Sequence, residues 1–195
     1  MATVQAIRFH ETGGPEVLRW ETVEVGEPAP GQARVRHEAV GLNFIDTYHR
    51  TGLYPLPLPS GIGLEGAGVV EAVGEGVSNV APGDRVAYAG GPVGAYSEAR
   101  NIPADRLLKL LASIDFSTGA AMMLQGLTSA YLLRRTYRVQ PGDAVLIHAA
   151  AGGVGLIACQ WAKAIGATVI GTTSSEAKAE LARAHGADHI IFYGR

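Results

Sequence analysis

The stretch VLIHAAAGGVGLIACQWAK, residues 145–163, contains an apolar strand, a glycine-rich turn and an apolar helix in that order. Glycines let backbone N–H groups approach a pyrophosphate closely, and the N-terminus of the helix adds a partial positive charge. The motif is Ala150-x-Gly152-x-x-Gly155, with alanine in place of the first glycine of the dinucleotide fingerprint. Its position between a strand and a helix predicts a dinucleotide-binding turn at residues 152–155. The alternative is a glycine-rich turn that holds no ligand.

Strands and helices alternate around this turn. We predict strands over residues 144–149, 168–171 and 189–192, and helices over residues 154–165 and 175–185. This alternation is typical of a parallel sheet with right-handed crossovers. A doubly wound dinucleotide fold has about six strands. Since only three are predicted, we expect only the first half of a Rossmann domain.

The residues before this region are rich in short β-type segments. Turn signals of glycine and proline separate them, and this spacing predicts a barrel or sandwich. The strands are predicted over residues 4–9, 17–25, 33–40, 66–73 and 85–88. A helix is predicted over residues 117–137, with Ser113 or Asp115 as its cap.

Bulk composition excludes several classes of function. The net charge is −2 over 195 residues and no long basic run exists, so nucleic acid is not expected as a partner. The N-terminus has no apolar signal segment, and no apolar run is long enough to span a membrane. Cys159 is the single cysteine, which suits a reducing compartment. We therefore expect a cytoplasmic globular protein with no membrane partner.

The second predicted strand of this region indicates which dinucleotide is bound. NAD-binding proteins usually place Asp or Glu at its end to hold the ribose 2′-OH. Here residues 170–174 read IGTTS, without a carboxylate. Lys178 follows Ser174 by about one helical turn and could reach a 2′-phosphate. This pattern favours NADPH, although Lys178 could equally be a solvated helix residue.

Several motifs resemble one known family along the whole chain. GDxxLxxxAAGGxGxxxxQxxK at residues 142–163 is similar to the signature of the quinone oxidoreductase/zeta-crystallin branch of the zinc-free medium-chain dehydrogenases. Further similar stretches are GPEVL 14–18, GLNFID 41–46, GLYP 52–55, GLEGAG 63–68, PGDRV 82–86 and QGLT 125–128. The resemblance implies a GroES-like β-barrel catalytic domain at residues 1–120. It further implies a Rossmann NADPH-binding domain at residues 121–195, of which we expect the C-terminal remainder to be absent.

Metal chemistry separates the branches of this superfamily. A catalytic zinc needs three protein ligands. The zinc enzymes have a cysteine near the position of Asn43 and a histidine before the glutamate that corresponds to Glu65. This chain has Leu64 before Glu65, and its histidines show no ligand spacing. We therefore predict no zinc site and a conjugated acceptor, which accepts hydride readily because it delocalises the charge.

The resemblance also implies roles for individual residues. The segment Asn43, Phe44, Ile45, Asp46, Thr47 and Tyr48 would line the nicotinamide side of the cofactor. The residues expected at the catalytic site are Asn43, Tyr48, Tyr54 and Thr128. Thr128 and Tyr131 would border the nicotinamide half. Gly152, Gly153, Val154 and Gly155 would hold the pyrophosphate, and Ser174, Lys178 and Tyr193 would read the 2′-phosphate.

Simpler interpretations stay open for some of these side chains. Asn43 could be a turn residue, and Tyr48 and Tyr54 could be packing residues. For Asp46 and Glu65 we favour buried or capping carboxylates over acid–base catalysis. For Cys159 we favour a small core residue over a nucleophile.

The function implied is NADPH-dependent quinone reduction, by hydride or one-electron transfer to a conjugated carbonyl, in an intact homodimer. The alternatives are an alkenal or enone reductase on the same scaffold, and an NADPH-binding structural or RNA-binding protein. Because half of the Rossmann sheet is missing, we expect the 195-residue chain alone to bind NADPH poorly and to be inactive.

Overall fold

A computed structural model describes residues 2–194. Backbone contacts divide the chain into two units, Met1–Leu124 and Gln125–Arg195. Within the described residues, no helix has both the length and the apolar character needed to cross a membrane.

The first unit is built from antiparallel strands. Its strands are β1 (Ala2–Phe9), β2 (Arg19–Val25), β3 (Gln32–Gly41), β4 (Ser60–Gly61), β5 (Glu65–Val73), β6 (Arg85–Ala89), β7 (Ala99–Pro103) and β8 (Leu108–Lys109). They form a five-stranded sheet in the order β7-β3-β5-β6-β8 and a three-stranded sheet in the order β2-β1-β4. A bridge between Ala6 and Ser97 links the two sheets.

Alternating burial along the strands forms the core of this unit. In β3, Ala33 and Val35 are fully buried and the arginines between and after them are not. The core also contains Val70, Val86 and Tyr88. The predicted strands are present here, with one correction at residues 17–25. That strand begins at Arg19 because Pro15–Val17 forms a 3-10 turn, which the fixed φ of proline favours at its first position.

Two helices begin in this unit. Helix α1 (Phe44–Thr51) follows β3 and was not predicted. Helix α2 (Phe116–Tyr131) follows β8, and the Asp115 carboxylate accepts a hydrogen bond from the backbone N–H of Thr118 at 2.7 Å. Asp115 is therefore the capping residue of the two that the sequence offered.

The second unit contains the predicted parallel sheet. Its elements are β9 (Ala144–Ile147), α3 (Gly153–Ile165), β10 (Thr168–Thr173), α4 (Glu176–Ala184) and β11 (His189–Phe192). The strand order is β11-β10-β9 and both pairings are parallel. Strand β9 ends two residues before the predicted boundary, because the backbone turns at Ala149 with a φ of 50°.

The predicted helix over residues 117–137 changes character near its end. Leu132–Thr136 forms a π-helical turn, and the N–H of Tyr137 donates to the carbonyl O of Leu132 at 3.1 Å. The wider turn accompanies the burial of Leu133 and Val139 in one cluster.

Helix α3 is buried on the face that packs against β10 and α4. Ala158, Cys159 and Ala162 lie in one cluster with Val169 and Ala182. Small side chains here allow the helix to approach the sheet closely. The helix ends at its C-cap Gly166, whose φ of 97° lies in the left-handed region that favours glycine.

Candidate functional site

The glycine turn connects β9 to α3. The N–H of Gly152 donates to the carbonyl O of Ala149 at 2.8 Å, and helix α3 begins at the next residue. Gly152 and Gly153 are exposed, and no acidic residue lies in the first turn of the helix. The first N–H groups of a helix have no carbonyl partner within it. The turn thus has the free N–H groups that anion-binding helix N-termini share, and its contact with a pyrophosphate stays a prediction.

One glycine of this turn, Gly155, is required by close approach. A Cβ on Gly155 would overlap the backbone of Ala149 and Ala150, whereas a Cβ on Gly153 would meet only the end of the flexible Gln125 side chain. Ser129, fully buried, donates to the carbonyl O of Gln125 at 3.0 Å. Ser129 Oγ also lies 3.4 Å from the carbonyl O of Val154, so Ser129 connects α2 to the start of α3 beside the turn. The QGLT motif marks the start of this segment, but its supporting role is not apparent from the sequence.

A small cavity of about 130 Å³ lies where β10 ends. It is lined by Ala149, Ala151, Gly152, Thr172, Thr173, Lys178 and Tyr193. The N–H of Tyr193 donates to the carbonyl O of Thr173 at 3.1 Å, which holds Tyr193 beside the strand end. The fold therefore brings three predicted cofactor residues, from three separate segments, to one cavity.

Lys178 supplies the positive charge of this cavity. Its Nζ lies 3.3 Å from Ser174 Oγ, and within residues 2–194 it forms no ion pair with a carboxylate. The backbone N–H of Lys178 donates to Ser175, the N-cap of α4. An unpaired cation beside a helix N-terminus favours an anionic ligand. Thr172 and Thr173 also line the cavity, and neither was predicted as a site residue.

A larger cavity of about 470 Å³ lies on another side of the same turn. Its walls are mainly apolar: they include Leu132, Leu133, Val139 and Leu146 beside residues 152–155. Thr128 and Tyr131 lie on α2 outside this lining, with Tyr131 half exposed. Their predicted contact with the nicotinamide half stays a prediction.

In the first unit, Asn43 begins helix α1 and is buried. Asn43 and Asp46 form a capping box, in which the Asp46 carboxylate accepts the backbone N–H of Asn43 at 3.0 Å. The Asn43 Nδ2 group donates to Glu65 Oε2 at 2.6 Å, and Glu65 Oε1 accepts the backbone N–H of Leu124 at 2.7 Å. Asn43 is therefore a helix cap rather than an ordinary turn residue.

Burial controls the protonation of this group of side chains. Glu65 is 1 % exposed, and burial raises its pKa although the hydrogen bonds from Asn43 and Leu124 act in the opposite direction. The hydroxyl of Tyr96 donates to Asp46 Oδ2 at 2.7 Å. Burial and this hydrogen bond raise the pKa of Tyr96. Asp46 and Glu65 thus have the structural contacts expected of capping and buried carboxylates.

Three aromatic side chains form a cluster on and beside α1. The rings of Phe44 and Tyr48 lie 5.3 Å apart at 83°, and those of Tyr48 and Tyr54 lie 5.3 Å apart at 61°. Phe44 is 72 % exposed and Tyr54 is 49 % exposed. Packing explains part of this cluster, but an exposed edge of large aromatics is also suited to a planar apolar ligand. Ile45 and Thr47 are partly buried on the same helix.

The described residues offer neither a metal-binding cluster nor a reactive thiol. Among residues 2–194, no group of three His, Cys, Asp or Glu side chains could hold a metal ion. Cys159 is buried in the core and burial raises the pKa of its thiol, which disfavours the nucleophilic thiolate.

Comparison with known proteins identifies the family. The alcohol dehydrogenase GroES-like domain matches residues 29–112, and the zinc-binding dehydrogenase family matches residues 153–195. The quinone oxidoreductase of Pseudomonas aeruginosa is 58% identical over 188 residues, which are 96% of this chain and 58% of that protein. The chain belongs to the quinone oxidoreductase family of the medium-chain dehydrogenases.

Other quinone oxidoreductase relatives agree with this assignment. The crystal structure of Escherichia coli quinone oxidoreductase complexed with NADPH has a TM-score of 0.95 and 53% identity, covering 98% of this chain and 59% of that one. The 2-haloacrylate reductase of a Burkholderia species is 50% identical, over 97% of this chain and 59% of that protein. The predicted family and fold class are confirmed: a GroES-like domain precedes a Rossmann-type domain. The chain spans a little under three fifths of the length of these relatives.

Proposed function

We propose that the full-length protein containing this chain is an NADPH-dependent quinone oxidoreductase. The observation that carries the proposal is the cavity at the end of β10, where Lys178 and Tyr193 meet the glycine turn without a carboxylate. A carboxylate there would repel a 2′-phosphate, whereas a lysine attracts it. The solved relative complexed with NADPH supports the same cofactor.

The residues present fit this cofactor. Gly152 and Gly153 are exposed and carry no side chain, so the backbone N–H groups of the turn are open to the pyrophosphate, and Gly155 allows the close packing behind them. Lys178, Ser174 and Tyr193 would hold the 2′-phosphate. When bound, NADPH supplies the hydride from its nicotinamide ring. The contribution of the chain is to bind and orient the reactants.

The first unit would supply the acceptor side of the reaction. Glu65 fixes the amide of Asn43, while Tyr48 and Tyr54 present aromatic rings suited to a quinone. In this proposal residues 1–120 act as the catalytic domain and residues 121–195 contribute to NADPH binding, with Thr128 and Tyr131 bordering the nicotinamide half.

Three further properties belong to the same proposal. The enzyme works without zinc, supported by Leu64 before Glu65 and by a single cysteine placed in α3. It is cytoplasmic, supported by the same cysteine usage. It forms a homodimer, supported by its resemblance to the family, and neither nucleic acid nor membrane is its partner.

A second candidate is reduction of an activated C=C bond. The 50% identity to a 2-haloacrylate reductase favours it, since the name of that relative denotes a conjugated acrylate as substrate. Both candidates need a conjugated acceptor and the same cofactor. They differ in which acceptor the exposed aromatic cluster prefers.

Steady-state kinetics of the full-length protein separates the two. We expect NADPH oxidation to have a higher kcat/KM with a naphthoquinone than with a 2-alkenal or a 2-haloacrylate. Faster turnover of either alkene substrate would replace quinone reduction with the second candidate. Absence of NADPH oxidation with every acceptor would remove both.

A further inference from the structure

Thr173 has a buried hydroxyl group that forms no hydrogen bond with the described residues. The residue is 1 % exposed, and its Oγ1 has no hydrogen-bond partner among residues 2–194. Its neighbour Thr172 differs, because Thr172 Oγ1 accepts the backbone N–H of Ala149 at 3.2 Å. Burying a hydroxyl without a partner is unfavourable, so such a group calls for an explanation.

The position of Thr173 suggests one. It is the last residue of β10 and lines the small cavity together with Lys178 and Tyr193. It follows the glycine turn by about 20 residues, the separation at which NAD-binding proteins carry the Asp or Glu that holds the ribose 2′-OH. In this chain a hydroxyl group stands where the carboxylate would stand.

The chemistry of the two groups is opposite. A carboxylate accepts a hydrogen bond from a ribose 2′-OH and repels a phosphate. A threonine hydroxyl donates to a phosphate oxygen without adding negative charge, and the nearby Lys178 neutralises that phosphate. Both features of the cavity, the unpartnered donor and the unpaired cation, therefore select the same ligand group.

We propose that Thr173 is a specificity-determining residue, whose hydroxyl donates to the 2′-phosphate of NADPH and whose lack of charge admits that phosphate. The inference rests on the proposed function, since it requires NADPH to be the cofactor. It adds a residue that acts from the strand, beside the cation on α4.

The test measures dissociation constants for NADPH and NADH by titration calorimetry on the full-length protein. Thr173→Val keeps the shape and removes the hydroxyl, so we expect NADPH to bind about tenfold more weakly and NADH to bind as before. Thr173→Ser retains the donor and should bind NADPH within about twofold of the wild type. Thr173→Asp should reverse the preference, weakening NADPH and tightening NADH.

Two controls make the result decisive. Thr168→Val removes an exposed hydroxyl at the other end of β10 and should change neither affinity. The unfolding temperature of Thr173→Val should equal or exceed that of the wild type, because no protein group loses a bond. Unchanged NADPH affinity in Thr173→Val would overturn the inference, leaving only an internal water as partner. A wild-type protein that does not bind NADPH would instead overturn the proposed function and the inference with it.

Discussion

His37 lies in β3 with both ring nitrogens engaged. Nδ1 donates to the carbonyl O of Ser97 at 2.6 Å, and Nε2 accepts the hydroxyl of Tyr88 at 2.8 Å. These are the hydrogen bonds of the neutral ring in its Nδ1–H tautomer. Burial lowers the pKa of His37 to about 4, and the charge of Arg100 acts in the same direction.

The lowered pKa of His37 predicts how the free energy of unfolding depends on pH. Because the folded-state pKa lies below the unfolded value of about 6.5, the unfolded state takes up the proton first as the pH falls. The contribution of neutral His37 to stability is complete above pH 6.5 and is lost as the pH falls towards 4. The free energy of unfolding should therefore fall by about 2 kcal/mol between pH 7 and pH 5. Chemical denaturation of the wild type and of His37→Gln at several pH values isolates the part of the pH dependence that is due to His37. A variant whose pH dependence equals that of the wild type would refute the assignment, and His189→Gln, at an exposed histidine, is the matched control.

The contacts of Asn43 show which residue-level features are accessible from sequence. The spacing between Asn43 and Asp46 is that of a capping box. The capping role favoured for Asp46 agrees with its hydrogen bond to the backbone N–H of Asn43. The bond from Asn43 to Glu65 depends on strand register, since Gly41 pairs with Glu65 across β3 and β5. A single sequence does not reveal that register. Thr173 was not predicted for a different reason: the unpartnered state of its buried hydroxyl becomes visible only in the folded structure.

At the scale of elements, the glycine turn and α2 offer a matched pair of substitutions. A Cβ at Gly155 would overlap the backbone of Ala149 and Ala150, whereas a Cβ at Gly126, inside α2, meets no atom within 4 Å. We expect Gly155→Ala to lower the free energy of unfolding by about 2 kcal/mol. Gly126→Ala should raise it by about 0.5 kcal/mol, because alanine favours the helix. Denaturant titration of both variants checks the difference in sign, and equal effects would contradict the close packing of the turn.

Elements with strong local periodicity or clear turn signals were predictable. The βαβαβ region was predicted in the right order, because apolar runs and terminal glycines mark each boundary. Helix α1 was missed, since Phe44–Thr51 is short and contains aromatic and β-branched residues of low helix propensity. Strands β7 and β8 were missed because pairing with β3 and β6 defines them.

At the scale of the whole molecule, the glycine turn and its flanking elements predicted the dinucleotide domain. The resemblance to the quinone oxidoreductase branch predicted the GroES-like barrel. The family is shown by comparison. The site residues beyond the described contacts stay predictions, since the roles of Tyr48, Tyr54, Thr128 and Tyr131 depend on the bound reactants. The cavity where the glycine turn meets β10 is the part of the molecule that we propose selects NADPH.

Comparing the affinity of the full-length protein for NADPH and NADH tests that claim most directly. We predict that NADPH binds at least about tenfold more tightly than NADH. Lys178→Ala should weaken NADPH by about ten- to one-hundredfold and leave NADH unchanged, since a hydrogen bond to a charged group contributes about 1.5–3 kcal/mol. Arg183→Ala, which removes a cation paired with Glu176 on the same helix, should change neither affinity. NADH binding as tightly as NADPH, or a Lys178→Ala variant with wild-type NADPH affinity, would contradict the account.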